Sequence, residues 1–259
     1  MKKTILILVI CFLALTAWAY DFTYLVGAPT ADVLEQGEYN IWTKIYRDNG
    51  MIAGTQIGLF PYITIGLSYG AENLVGNLQP EWHDLFDANI KFRFFAETQM
   101  IPAMSFGFDS MGHGAWHKAI NRYDIKSKGF YLAASKHNLL LPGFGAHIGV
   151  NRSLEADDGD EDINAWVGVQ QTIGDVVHFF LEYDIATNDN DRSFDDDGLD
   201  LTGDGKGYLN AGVLVSISEN LDLRLSLYDL LQNNPNLGNN NNNDIGIDRA
   251  IKINFRTAF

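Results

Sequence analysis

The chain has 259 residues, 46% of them hydrophobic, so it can bury one sizeable domain or two small ones. Its 18 Lys plus Arg stand against 33 Asp plus Glu, a net charge of -15 that excludes a phosphate-attracting nucleic-acid surface. A single cysteine, Cys11, excludes a disulfide framework and a thiolate zinc site.

Residues 1–19 read as a cleaved export signal. Lys2 and Lys3 precede the apolar run Ile5 to Leu15, and Ala17-Trp18-Ala19 is a cleavage site that leaves Tyr20 first. A retained membrane anchor is the rival reading, but the run is about 12 residues, short of the roughly 20 a spanning helix needs. A lipoprotein reading fits less well, because Cys11 follows Ile10 and lies inside the run. Without the signal no cysteine remains, and 16 Lys plus Arg face 33 acids, a net charge of -17. Residues 20–36 are then expected as a short periplasmic segment, followed by a body at 37–259.

That body alternates with period two. Leu221, Leu223, Leu225 and Leu227, for example, interleave with Asp222, Arg224, Ser226 and Tyr228. A strand with one apolar face does this and a helix does not. In chain order the pattern predicts twelve strands, at 38–46, 52–60, 62–70, 87–97, 103–110, 126–136, 143–151, 163–173, 176–186, 206–217, 220–228 and 245–258. In the strands at 87–97, 103–110 and 126–136 the register is open by one residue, since Phe92, Phe94 and Phe95 break the alternation.

A β-sandwich and a membrane barrel both produce alternation. The even strand number and lengths near 9 to 12 suit tilted membrane strands. The joins near 61, 97–102, 137–142, 174–175 and 218–220 are short, whereas those at 71–86, 111–125, 152–162, 187–205 and 229–244 are long. Only the join at 47–50 breaks the long set. The expected fold is therefore all-β: a single closed antiparallel transmembrane β-barrel of about 12 strands, with long outer loops and short periplasmic turns.

The inner parity of such a barrel carries Lys91, Arg93, Glu182, Asp184, Asp222, Arg224, Lys252 and Arg256 as lumen-lining candidates. They either brace the wall as salt bridges or line a path for a polar solute, and side chains or an infolded loop would close a lumen of this size.

The outer loops are acidic. Thirteen of the 33 acids lie in 152–162 and 187–205, most simply as a solvated surface. Asp195 to Gly205 places oxygen ligands at short spacing, which makes weak calcium binding the one cofactor reading; Asn239 to Asn243 is a low-complexity loop tip. His113 and His117 have the spacing of a zinc protease, but Gly114 stands where its Glu should be, so no metal site is expected. A lipid-facing hydrolase needs a Ser and a His together on the apolar face. Ser135 has no His partner there, and His147 and His178 fall on the inward parity, so no enzyme is expected.

Ile251, Ile253, Phe255, Thr257 and Phe259 share one face of the last strand, and the sequence stops on Phe259. This resembles the C-terminal signal by which outer-membrane barrels are inserted. It assigns Ile251, Ile253, Phe255 and Phe259 to insertion, and implies the barrel-assembly machinery and outer-membrane lipid of a Gram-negative cell as partners.

Ile101-Pro102-Ala103 leads into Gly107-Phe108-Asp109-Ser110-Met111-Gly112-His113-Gly114, and Gly129-Phe130-Tyr131-Leu132-Ala133-Ala134-Ser135-Lys136 follows. Over about 35 residues this resembles the barrel of the YjbH-type exopolysaccharide-associated outer-membrane proteins, with His113 where that family commonly has Thr. The resemblance implies a link to polysaccharide export and singles out Gly107, Asp109, Gly112, Gly114, Ser135 and Lys136. Read from the residues alone, the same positions form a tight strand–loop bend in which Asp109 caps backbone amides. Two functions are carried forward: a channel or transport-related barrel for a small polar or saccharide solute, and a non-conducting structural or surface-binding barrel acting through its acidic loops.

Overall fold

The computed structural model describes residues 22–47, 49–190, 201–234 and 247–259. The expected signal peptide at 1–19, residues 195–200 of the acidic stretch and the run Asn239 to Asn243 lie outside the described residues.

Fifteen strands are present among the described residues: β1 (Glu38–Tyr46), β2 (Gly50–Phe60), β3 (Ile63–Glu72), β4 (Glu81–Trp82), β5 (Asp87–Phe95), β6 (Ala103–Asp109), β7 (His113–His117), β8 (Arg122–Ile125), β9 (Gly129–His137), β10 (Phe144–Arg152), β11 (Asn164–Ile173), β12 (Val177–Asp184), β13 (Tyr208–Ser218), β14 (Leu221–Tyr228) and β15 (Asp248–Ala258). Twelve of them form one antiparallel sheet in chain order, and β1 pairs with β15 from Glu38↔Ala258 to Ile45↔Ile251 to close it. The twelve match the predicted strands to within three residues at each end. The three missed strands are short and lie in loops: β4 adds to the end of β3, and β7 pairs with β8 as a separate hairpin.

Closure leaves no strand edge, so every barrel amide has a neighbour to bond. The outward parity is apolar and exposed around the ring, with Ile41, Leu67, Ile90, Phe106, Ile148, Leu181 and Ile253 all on the outside. A soluble sandwich would bury that face. The protein is a transmembrane β-barrel with its apolar band turned to lipid.

The broken alternation near Phe94 has a local cause. The β5–β6 register shifts between Arg93 and Phe95, so one extra residue is accommodated in β5 and Phe92, Phe94 and Phe95 are all exposed. Up to that shift the parity is regular, and Lys91 pairs with Gly107 on the inner face.

The lumen is filled from both ends. Residues 22–36, the described part of the segment expected at 20–36, run inside the barrel: Leu25, Ala28, Thr30 and Ala31 are fully buried. Phe22, Leu25 and Val26 form an apolar core with the wall residues Trp42, Phe180, Leu214 and Tyr228. This core gives the segment a reason to enter. Inward glycines make room for it. A Cβ on Gly168 would stand 2.4 Å from Leu25 Cδ1, and one on Gly58 would stand 2.0 Å from the Glu35 carbonyl oxygen. From the other end, the β7–β8 hairpin folds inward, with Arg122, Tyr123 and Ile125 buried.

Candidate functional site

The buried N-terminal segment has almost no sheet partners of its own, only a bridge between Tyr24 and Pro29. Its backbone groups must be satisfied by something else, and the wall charges do this. Glu182 Oε2 accepts from the amides of Val26, Gly27 and Ala28 at 3.0, 2.9 and 2.8 Å, while its Oε1 accepts from Asn210 at 2.8 Å. Lys91 Nζ donates to the carbonyls of Thr23 and Asp32 at 2.7 and 3.0 Å. Arg224 donates to the Leu25 carbonyl and lies 4.4 Å over the Phe180 ring. Three predicted lumen residues thus hold a strap, a role intermediate between bracing the wall and lining an open path.

The other five are distributed differently. Asp184 pairs with Lys128 and accepts from Asn164 at 2.6 Å. Asp222 accepts from Ser216 at 2.8 Å. Arg256 pairs with Glu38, and Arg93, half-buried, donates to the Pro61 carbonyl at 3.3 Å. Lys252 lies 4.2 Å over the Trp42 ring.

The motif residues also serve the strap and the hairpin rather than gathering into one site. Asp109 Oδ1 accepts from the Met111 amide at 3.0 Å, the capping read from the residues alone, and its Oδ2 accepts from the strap's Tyr24 hydroxyl at 2.6 Å. Ser135 Oγ accepts from the strap's Ala31 amide at 2.8 Å. Gly107 leaves space for the Tyr131 ring, and Gly112 lies against Tyr123. Gly114 has φ +88° with no room for a Cβ beside Asp124, a position only glycine fills without strain. Lys136 pairs with Glu97 at 3.0 Å, at the short-turn end.

Ser135 does have a histidine partner, His147 Nδ1 at 2.8 Å, which sequence reasoning sought only on the apolar face. Both groups are buried in the lumen under the strap, away from lipid, and no carboxylate is hydrogen-bonded to His147 among the described residues. His113 and His117 face separate partners, Asp248 and Asp124, each at 2.7 Å. Among the described residues no group of three or more metal-type side chains gathers.

The acidic loop at 152–162 is not simply a solvated surface. Arg122 Nη1 pairs with Asp158 at 2.6 Å and with Asp189 at 2.8 Å, and Lys126 pairs with Asp158 at 2.7 Å. Glu155 accepts from the Tyr123 and Ser127 amides, each at 2.9 Å. Burial pushes the Glu155 carboxyl up to about 7, against these hydrogen bonds and the nearby Arg122. The acids are the dock for a basic hairpin.

Between strap and hairpin lies a cavity of about 70 Å³, bordered by Val26 and Gly27 on one side and Met111, Gly112 and His113 on the other. Its carboxylates are engaged: Asp109, Glu182 and Asp184 as above, and Asp87 with the Tyr123 hydroxyl at 2.9 Å. A second cavity of about 50 Å³ lies beyond the strap, lined by Phe22, Leu34, Asn40 and Arg256. Tyr24, Arg224 and Lys252 border both cavities. Each is large enough for a few waters.

No protein-family model matches the chain, and neither does any curated protein. Among solved structures it is similar to "KdgM porin" at 7% identity, covering 86% of this chain and 99% of that one, with TM-score 0.49. It is also similar to the outer-membrane channel titled COG4313 from Pseudomonas putida F1, at 11% identity, covering 87% and 97% of the two chains, with TM-score 0.43. These likenesses are distant.

Proposed function

We propose that the protein is a Gram-negative outer-membrane channel for small polar or saccharide solutes, held closed by its N-terminal strap and its infolded hairpin. The observation that carries this reading is the pair of water-sized cavities meeting at Tyr24, Arg224 and Lys252. Both closures are joined to the wall largely through hydrogen bonds and ion pairs. Water can replace a hydrogen bond at a net cost of only about 1 kcal/mol, so polar attachments suit a part that has to let go.

The resemblance to YjbH-type barrels extends the solute class to extracellular polysaccharide and the process to export. Its support is the pair of runs 107–114 and 129–136, which shape the hairpin and the strap's dock. The C-terminal strand, with Ile251, Ile253, Phe255 and Phe259 outward, is the segment the assembly machinery would read.

Planar-bilayer recording tests the channel. The sample is a doubly released variant, in which residues 22–36 are deleted and 111–125 are replaced by a short Gly-Ser turn. Heat-modifiable gel mobility confirms that it is a folded barrel. Steady, salt-dependent current steps are expected. Silence from that verified barrel overturns the channel reading and leaves the non-conducting one, which the filled lumen favours.

A further inference from the structure

Of the cations around the larger cavity, three are committed. Lys126 is held by Asp158, Lys128 by Asp184, and Arg224 by the strap's carbonyl oxygens. The other two, Lys44 and Lys252, are cross-strand partners on β1 and β15, and Arg224 is the next partner in register on β14. Neither lysine has a hydrogen-bond acceptor or an ion-pair partner among the described residues. Lys44 is only 6% exposed.

What these ammonium groups have instead is aromatic faces. Lys252 Nζ is 4.2 Å from the Trp42 ring centroid and Lys44 Nζ is 5.8 Å from that of Tyr46. Trp42 borders the same cavity, and its buried Nε1 has no hydrogen-bond partner. Asp87, Asp109 and Asp248 act on Lys44 only at longer range. Each already serves another group: Tyr123, the Tyr24–Met111 pair and His113. Like charges opposed across a strand pair repel, and buried donors without acceptors are costly. Two ammonium groups and an indole N–H beside a small cavity are completed by a group rich in acceptors and negative in charge.

We propose that Lys44 and Lys252 form an anion-binding site on the lumen wall, for a small solute bearing a carboxylate or phosphate group. At about 70 Å³ the cavity admits one such group, not an extended chain. The site deepens the channel reading, on which its role as a solute station rests; binding itself requires no current.

The test is calorimetric titration of the folded mature barrel in detergent at low salt, with inorganic phosphate, acetate and glucose as probes. Saturable binding of phosphate or acetate, without glucose binding, is expected, and the anion that binds names the group. Lys44→Met and Lys252→Met should each weaken binding at least tenfold, and together abolish it. Lys206→Met, on an exposed loop, should leave it unchanged. The double Met variant should also melt higher than the native barrel in anion-free buffer, and only the native barrel should gain melting temperature from added anion. If a lysine variant does not fold, Lys252→Arg, which keeps the charge, should bind while Lys252→Gln should not. Absence of anion binding by the native barrel, or equal affinity in the double variant, overturns the site. Current without anion binding removes the site and spares the channel, whereas binding without current from the doubly released barrel does the reverse.

Discussion

A carboxylate enclosed by a barrel has to be hydrated or bonded, and Glu182 is bonded by three consecutive strap amides. Charge-assisted bonds of this kind contribute about 1.5–3 kcal/mol. Glu182→Gln should therefore loosen the strap by about 2 kcal/mol, raising its opening constant roughly thirtyfold. Residues 20–259 contain no cysteine, so in a chain of those residues Thr23→Cys provides a single labelling site. Its modification rate should rise by that factor in the Gln background, and an unchanged rate would show that Glu182 does not hold the strap. Gly58→Ala should free the strap by a different route, because its Cβ would press on backbone, the carbonyls of Glu35 and Leu34. The same label reports it, with barrel mobility on gels unchanged. The inward placement of Glu182 and Arg224 was legible in the sequence because strand parity alone sets it, whereas that of Lys91 stayed open by one residue because the β5 bulge between Arg93 and Phe95 breaks the alternation. Their partners were not legible. Period two tells which face a side chain occupies, not which distant backbone comes to meet it. Ser135–His147 was missed for another reason: the two are cross-strand partners on the inner face, whereas a partner for Ser135 was sought on the apolar face.

At the scale of elements, the twelve barrel strands were legible and the parts that fill them were not. Strands carry a repeating apolar face because lipid covers that face along its whole length. Residues 22–36 carry no such repeat, since wall side chains satisfy their backbone one group at a time. The hairpin was hidden by charge bookkeeping: acids in 152–162 outnumber local cations, yet Arg122 and Lys126 arrive from another loop to meet them. Arg122→Met would leave Asp189 buried without its cation. Breaking a buried pair this way costs about 3–5 kcal/mol, and hydrogen exchange across 113–125 should accelerate accordingly. Glu155 adds a pH dependence. Burial raises its carboxyl from 4.5 to about 7, so the folded hairpin binds the proton more tightly than the released one does. Its contribution to docking is complete below about 4.5 and is lost as pH rises through about 7. Exchange at the Tyr123 and Ser127 amides, corrected for intrinsic rates, should show protection falling from pH 5 to pH 8. Glu155→Gln should flatten that fall.

For the whole molecule, what matters is that the two closures lie in series along one lumen. Strap and hairpin come from opposite ends of the barrel and flank the same cavity. Current through constrictions in series is set by the more resistive one. Releasing only the strap leaves the hairpin packed by Arg122, Tyr123 and Ile125, and releasing only the hairpin leaves the strap on Glu182, Lys91 and Arg224. Each single release should therefore add little conductance, while the double release adds far more than the sum of the two. Closures acting in parallel would instead add independently, so a four-way comparison in planar bilayers separates the two arrangements. The coupling also has a sign. Both plugs shed water from the cavity between them when they dock, so each closes more readily once the other is in place. Strap labelling at Thr23→Cys should then be faster in the hairpin-deleted barrel than in the intact one. Equal rates would mean that the plugs share a lumen without sensing one another, and that two independent gates, rather than one cooperative closure, keep this barrel shut.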